Sequence, residues 1–172
     1  MFRMSHILTA AAAAALLLAA APEAYAQGPS LTAAQAMAAA RAVQAYAKKD
    51  GSDPSTAVLD RDGNVVLLLK GNNSAPHNLG LAQRKAFTAN MFKMKSIEWR
   101  DATKPGTDRA SERTTTPNAI PLGGGVPIMV GNEVIGAVGV SGTRGGQEGD
   151  TAGAQAGADA AAAAVQRLQA RN

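Results

Sequence analysis

The sequence has 172 residues, and its 17 lysines and arginines against 13 aspartates and glutamates give a formal net charge of +4 at pH 7. It contains no cysteine, which excludes disulfides, zinc–thiolate sites, iron–sulfur clusters, cysteine nucleophiles and covalently attached c-type haem. The positive charges form no basic run with interleaved aromatic residues, so the composition does not favour nucleic-acid binding.

The first 26 residues have the pattern of a secretory signal peptide. Arg3 precedes an apolar stretch from Ile7 to Ala21, and Ala24-Tyr25-Ala26 has the small-x-small form of a cleavage site. A transmembrane anchor is the alternative, but it needs roughly 20 apolar residues, and this run is shorter and rich in alanine. We therefore expect residues 1–26 to be removed, residues 27–172 to form a single domain, and the protein to be periplasmic or secreted, without a membrane span.

The first predicted elements are a helix and a β-hairpin. The helix covers about Thr32 to Asp50, because Thr32 and Gln35 form a capping box and Gly51 can end it in the left-handed conformation. The hairpin pairs residues 56–60 with residues 65–69 across an Asp-Gly turn, in which Asp60 and Asp62 are turn residues. The second strand is apolar at consecutive positions, which predicts that both of its faces are covered.

The second half of the chain predicts three further helices and a second hairpin. Ser74 can cap a helix that has Pro76 in its first turn and runs to about Lys93. The remaining elements are a short helix after Ser96, a surface loop over residues 103–117, strands at 126–130 and 133–140, and a helix over 148–169 with Glu148 and Asp150 in its first turn. The order α-β-β-α-α-β-β-α predicts an α+β fold, with helices packed on a single antiparallel sheet.

One face of the second helix is a candidate ligand site. At about 100° per residue this face carries the following side chains: His77, Leu81, Arg84, Thr88 and Met91. Beyond the predicted signal peptide, His77 is the only histidine, and imidazole is a ligand for iron or zinc. An imidazole, a cation, a hydroxyl and apolar groups on one face fit an amphiphilic planar ligand such as haem, which needs an axial donor, cations for its propionates and apolar walls. The alternative is an ordinary surface histidine near a helix start.

Two glycine-rich segments are weaker candidates. Gly123-Gly124-Gly125 and Gly145-Gly146 could approach a phosphate, but no G-K-[ST] follows and no G-x-G-x-x-G motif is present. We interpret them as turns and bulges, where glycine adopts positive φ at little cost.

Taken together, the motifs resemble the GlcG/HbpS family, also called the haem-degrading domain family. The segments that carry the resemblance, over about residues 31–164, are Leu31-Thr32 with Ala36, Val58 to Gly63, Pro76 to Leu79 leading into Arg84 to Ala89, Leu122 to Ile128, and Ile135 to Gly142. The resemblance implies a compact α+β domain, oligomers with ligand sites near subunit contacts, and haem binding or haem degradation in some members. It also places His77 where many relatives carry a histidine.

These observations lead to three hypotheses. The first is an exported, non-catalytic haem-binding protein with haem as the ligand, His77 as the axial iron ligand, Arg84 or Lys85 facing a propionate, and Leu81, Thr88 and Met91 lining the pocket. The second is an enzyme that degrades haem oxidatively at the same site and releases iron. The third is an accessory module that binds another small anionic metabolite or a partner protein. A homo-oligomer is expected in each case.

Overall fold

The computed structural model describes residues 31–171, so the predicted signal peptide lies outside the described residues. The helices are α1 (Ala33–Ala47), α2 (Asn78–Phe92), α3 (Ser96–Ala102), α4 (Glu112–Thr115) and α5 (Gly146–Gln169), and the strands are β1 (Ser55–Asp60), β2 (Val65–Leu69), β3 (Gly125–Val130) and β4 (Glu133–Ser141). The predicted α+β class and element order are confirmed, and the four-residue α4 is an addition inside the segment predicted to be a loop. Within residues 31–171, none of the helices combines the length and the apolarity needed to cross a membrane.

The four strands form one antiparallel sheet in the order β2-β1-β4-β3. Helix α2 packs on one face, over β4, β1 and β3, and helices α1 and α5 pack on the other face and against each other. An alanine face of α2, formed by Ala82, Ala86 and Ala89, is buried against β1 and β4. Small side chains on a helix allow its backbone to approach a sheet closely, so the backbone of α2 lies close to the strands.

Two glycines of the strands make this close approach possible. A β-carbon built on Gly139 would lie 1.9 Å from the carbonyl oxygen of Ala82, and one built on Gly125 would lie 2.0 Å from the carbonyl oxygen of Lys85. The predicted role of glycine in turns holds for Gly124, which has a φ of +120°. Gly125 and Gly139 instead have a packing role, because each makes room for the backbone of α2.

The prediction that both faces of β2 are covered is wrong. β2 is an edge strand, and α2 lies mainly over the other three strands, so the side chains of Val65 and Leu68 remain 44% and 40% exposed. The strand register shifts between Val58 and Leu59, and this irregularity places Val65 and Leu68 opposite Leu59 and Ala57, on the same side of the sheet as α2. A run of consecutive apolar residues is therefore not sufficient to identify a central strand.

The helix starts agree with prediction in one case and differ in the other. Thr32 and Gln35 form the predicted capping box at α1. Helix α2, however, begins at Asn78, so His77 occupies its N-cap position instead of its first turn. The prediction that Ser74 caps this helix is wrong, because the Ser74 hydroxyl bonds to the side chains of Ser55 and Asn78.

The short helix α4 is attached to α3 through the indole of Trp99. The Trp99 N–H donates to Glu112 over 3.0 Å, and the Arg109 guanidinium donates to both oxygens of the same carboxylate at 2.7 and 2.9 Å. The hydrogen bonds from Arg109 lower the pKa of the Glu112 carboxyl below its usual value near 4.5, and the hydrogen bond from Trp99 adds to this effect.

We expect the emission of Trp99, the only tryptophan in the chain, to change with a midpoint below pH 4.5. A carboxyl whose pKa is lowered by folding stabilises the fold above its unfolded pKa, and this contribution is lost as the pH falls through the folded pKa. A fluorescence titration from pH 7 to pH 3 measures the midpoint. The Glu112→Gln variant keeps an acceptor for the indole but cannot lose a charge, so the same transition in that variant would contradict the assignment.

Candidate ligand-binding site

A continuous row of residues lies on the solvent side of helix α2 and its N-cap. The row has alternating spacings of three and four residues and consists of His77, Gly80, Arg84, Phe87 and Met91, which we call the α2 stripe. Four of these residues are exposed, and Phe87 is half-buried against the alanine cluster. Because 3.6 residues complete one turn, this spacing places all five on one side of the helix.

The α2 stripe is rotated from the face that the sequence predicts. His77, Arg84 and Met91 belong to both, and the structure brings them together on the exposed side of α2. Leu81 is half-buried at the margin of the stripe, and Thr88 and Lys85 point into the protein. The helix therefore keeps the predicted imidazole, guanidinium and thioether on its surface and buries the predicted hydroxyl and amine.

His77 lies at the exposed end of the stripe. Its backbone is in the right-handed helical region, and its side chain forms no capping hydrogen bond to the helix. Within residues 31–171, no three imidazole or carboxylate groups cluster in a way that would hold a metal ion by themselves. A single exposed imidazole suits an ion whose other ligands come from its own cofactor.

Gly80 leaves an open surface between the imidazole and the cation. A β-carbon built on Gly80 would meet no atom within 4 Å, so the helix backbone is bare at this point. Such a surface allows a flat molecule to approach the helix more closely than any side chain would permit.

Arg84 is fixed at the middle of the stripe by the loop that precedes β3. Its Nη2 donates to the carbonyl oxygen of Ala119 at 3.2 Å, and its Nε lies 3.5 Å from the carbonyl oxygen of Asn118. A guanidinium has five N–H donors in a planar fork, so these two contacts orient it without using its capacity to bind a carboxylate.

A shallow cleft runs along the stripe beside the first hairpin. Its volume is about 400 Å³, and its lining consists of Leu59, Gly63, Gly80, Gln83, Arg84, Phe87 and Asn118. The cleft combines apolar walls with one cation and two amides, which is the mixture that binds an amphiphilic anion.

Thr88 has a structural role beneath the stripe. Its hydroxyl donates to the carbonyl oxygen of Arg84 at 2.8 Å and accepts from the backbone N–H of Ile120 at 2.9 Å. Thr88 therefore ties α2 to the segment whose carbonyl groups orient Arg84.

Lys85 forms a buried ion pair that sequence reasoning missed. Its amine lies 2.7 Å from Asp150 Oδ2, and the two side chains are only 3% and 7% exposed. The amine also donates to the carbonyl oxygen of Val140 and to the hydroxyl of Ser141. The sequence predicts Asp150 in the first turn of a helix from residue 148, but α5 begins at Gly146, so only Glu148 lies in its first turn. No local signal connects Asp150 with a lysine 65 residues earlier.

Comparison with known proteins points to one family. The model of the family described as "Haem degrading protein HbpS-like" matches residues 31–159. GlcG of Escherichia coli K12 is 33% identical over 111 residues, which are 64% of this chain and 81% of GlcG. A double mutant of HbpS from Streptomyces reticuli is 32% identical, with a TM-score of 0.70 over 77% of this chain and 88% of that one.

A further solved structure is a complex of PduOC with haem. It is 24% identical to this chain, with a TM-score of 0.69 over 77% of this chain and 95% of PduOC. At this level of identity the likeness establishes a common fold.

Proposed function

The chain belongs to the family of HbpS-like haem degrading proteins, and from this premise we propose that it is an exported haem-binding protein whose ligand lies on the α2 stripe. The observation that carries the proposal is one exposed imidazole, a bare helix backbone and an anchored guanidinium in a row on α2. The family's description and the haem complex of a protein with the same fold support haem as the ligand.

The residues present fit the chemistry of haem. The His77 imidazole is the candidate axial ligand, because it is exposed and forms no capping bond. Arg84 is the candidate partner of a propionate, and the exposed surface at Gly80 leaves room for a planar ring, with Leu81, Phe87 and Met91 as apolar neighbours. Lys85 and Thr88 are buried, so their proposed role is to hold the helix and Arg84 in place. When bound, haem would supply an iron centre, and the His77 imidazole would hold it.

Replacing His77 with alanine should remove the axial ligand. We expect haemin to bind at least about tenfold more weakly, corresponding to about 1.4 kcal/mol, and its Soret absorption to change. Titration of the purified protein, residues 27–172, with haemin, followed by absorption spectroscopy, measures both effects. The control is Asn132→Ala, in the exposed turn between β3 and β4, which should behave as the wild type.

The assignment of His77 fails if bound haemin has the same spectrum and affinity in His77→Ala as in the wild type. A second imidazole-dependent test is available in the same variant, because free imidazole added to the solution can occupy the vacated coordination position. Appearance in His77→Ala of an absorption spectrum typical of imidazole-ligated haemin is the expected pattern.

The family's description also favours oxidative haem degradation as a second candidate function. This reaction requires molecular oxygen and a reductant, and it consumes the porphyrin while releasing iron. Incubation of the haemin complex with ascorbate in air, with catalase present to remove free peroxide, separates the two functions. Loss of the haem spectrum with stoichiometric iron release supports an enzyme, and a stable spectrum supports a binding protein.

Export and self-association form part of the proposal. Residues 1–26 have the signal-peptide pattern, and the apolar side chains of Val65 and Leu68 on the edge strand offer a surface for a second copy. Native mass spectrometry of protein purified from its own host measures both properties and any co-purifying ligand. We expect a chain that begins at Gln27 and an assembly of more than one copy; an intact Met1 or a monomer would contradict the respective part.

A further inference from the structure

A continuous chain of polar contacts connects helix α5 with the start of helix α2. It begins at Asp150, whose carboxylate lies 2.7 Å from the Lys85 amine, and that amine donates to the Ser141 hydroxyl at 3.3 Å. The Ser141 hydroxyl donates to Asn78 Oδ1 at 3.3 Å, and Asn78 Nδ2 donates to the Ser74 hydroxyl at 3.1 Å. Asn78 is thus the only residue of this chain of contacts that lies next to His77 in the sequence.

Most of this network is shielded from water. Lys85, Ser141 and Asp150 are buried, and the Ser74 hydroxyl also accepts from the buried Ser55 on β1. Hydrogen bonds in such surroundings are stronger than those in water, and their partners are costly to leave unpaired. The two side-chain atoms of Asn78 therefore connect the first residue of α2 to β4 on one side and, through Ser74, to β1 on the other.

The start of α2 depends on the Asn78 contacts because it lacks the usual side-chain cap. Helices commonly begin with a side-chain oxygen that accepts from the backbone N–H groups of the first turn, and His77 at the N-cap position makes no such bond. Leu81 N–H donates to the carbonyl oxygen of His77, so the His77 backbone is already part of the helix. The Asn78 amide is the side chain that ties this first turn to the sheet.

We propose that Asn78 is a positioning residue for the His77 imidazole, held in place by the Lys85–Asp150 pair through Ser141. This inference rests on the proposed haem-binding function of His77. Residues that orient a metal ligand without touching the metal commonly change metal affinity by about 10- to 100-fold when they are removed. Asn78 does not belong to the α2 stripe, so its effect reaches the ligand only through the backbone of His77.

The test compares two substitutions at one position. Asn78→Ala removes both polar atoms, and we expect haemin affinity to fall by about 10-fold or more, with a changed ratio of high-spin to low-spin absorption. Asn78→Asp keeps an acceptor for the Ser141 hydroxyl and places a negative charge at the helix N-terminus, where it is favourable. Retention of wild-type affinity and spectrum in Asn78→Asp, but not in Asn78→Ala, is the expected rescue.

A readout without haem measures the positioning of His77 separately from ligand binding. The imidazole NMR signals that disappear in His77→Ala belong to His77, and in Asn78→Ala we expect them to shift and the amides of residues 78–82 to exchange faster with solvent. Asn132→Ala, in the exposed turn between β3 and β4, is the matched asparagine control and should change none of these measurements.

The outcomes separate the inference from the proposed function. If the His77 signals, the amide exchange and the haemin affinity of Asn78→Ala all match the wild type, the positioning role is overturned even when His77→Ala abolishes ligation. If Asn78→Asp loses as much haemin affinity as Asn78→Ala, the role is likewise overturned. If His77→Ala binds haemin as the wild type does, the haem proposal fails, and the positioning of His77 for haem is overturned with it.

Discussion

Replacing Lys85 with methionine should lower the free energy of unfolding by about 3–5 kcal/mol, because the substitution leaves the Asp150 carboxylate buried without its countercharge. Removing one member of a buried ion pair costs far more than the pair contributes, since the remaining charge has no water around it. Methionine preserves the length and most of the volume of the lysine stem, so a cavity contributes little to the loss. Urea denaturation followed by circular dichroism measures the difference directly.

The surroundings of Asp150 add to this expected effect. Asp150 Oδ1 also accepts from the backbone N–H groups of Gly142 and Thr143 and from the Thr143 hydroxyl. The Asp150→Leu substitution would therefore leave both the Lys85 amine and these donors without their partner, and we expect it to cost at least as much as Lys85→Met. A double-mutant cycle with both changes should give a coupling energy well above zero, because the two residues are in direct contact.

The matched control for the lysine is Lys93→Met. Lys93 follows the same helix but is exposed, so its replacement should change the free energy of unfolding by no more than about 0.5 kcal/mol. A loss below about 1 kcal/mol for Lys85→Met would mean that the buried amine is not needed to neutralise Asp150. Such a result would also remove the physical basis for the network that reaches Asn78.

The second large effect is expected for Gly139→Ala, which should destabilise the protein by about 3 kcal/mol or more. The added β-carbon would lie 1.9 Å from the carbonyl oxygen of Ala82 and 2.7 Å from the backbone nitrogen of Ala86, and both are atoms of the α2 backbone. A flexible side chain could turn away from such a contact, but a helix backbone cannot, so α2 as a whole would have to move from the sheet. Overpacking of a tight interface typically costs about 1–3 kcal/mol and sometimes more.

The comparison variant is Gly80→Ala on the opposite side of α2. There the β-carbon meets no atom within 4 Å, and alanine is the better helix former, so the protein should become more stable by about 0.5–1 kcal/mol. Thermal denaturation of the two variants should therefore shift the midpoint in opposite directions. Equal midpoints for Gly139→Ala and the wild type would contradict the close packing of α2 on β4.

Both predictions concern how α2 is held, and this connects stability with the proposed site. The α2 stripe can bind a ligand only while α2 packs closely on the sheet, because this packing buries the alanines and leaves the stripe exposed. Gly139 permits that packing, and the Lys85–Asp150 pair holds α2 to α5 across the end of β4. A variant that moves α2 away from the sheet should therefore lower both the affinity for haemin and the free energy of unfolding.

Local sequence patterns were sufficient to predict the main elements. The capping box of Thr32 and Gln35, the Asp-Gly turn of the first hairpin and the apolar runs of the strands depend on neighbouring residues alone, and the structure confirms them. The position of His77 near the start of a helix follows from the same kind of pattern, although the N-cap is His77 itself, three residues after the predicted Ser74. Patterns of this kind are predictable because hydrogen bonds within a turn or a helix are decided by residues close in sequence.

The exposed face of α2 was predicted less accurately, because contacts distant in sequence decide which residues of the helix are covered. Helical periodicity places His77, Arg84, Thr88 and Met91 on one side of α2. It does not determine which residues of that side are exposed and which are buried in the core. The loop that precedes β3 covers Thr88 through the Ile120 N–H, and so moves the exposed face toward Gly80 and Phe87. The exposure of Val65 and Leu68 has a similar cause, because only the strand order shows that β2 lies at an edge.

The sequence by itself determined the α+β class, the order of the elements, the lone imidazole at the head of α2, and the motifs that the family model matches over residues 31–159. Only the tertiary structure decided which side chains of α2 meet solvent and which lysine is buried. The Lys85–Asp150 pair joins residues 65 positions apart, and it is the packing of α2 and α5 about the sheet that brings these charges together. Burial and long-range pairing are properties of the packed layers, which is why local patterns could not predict them.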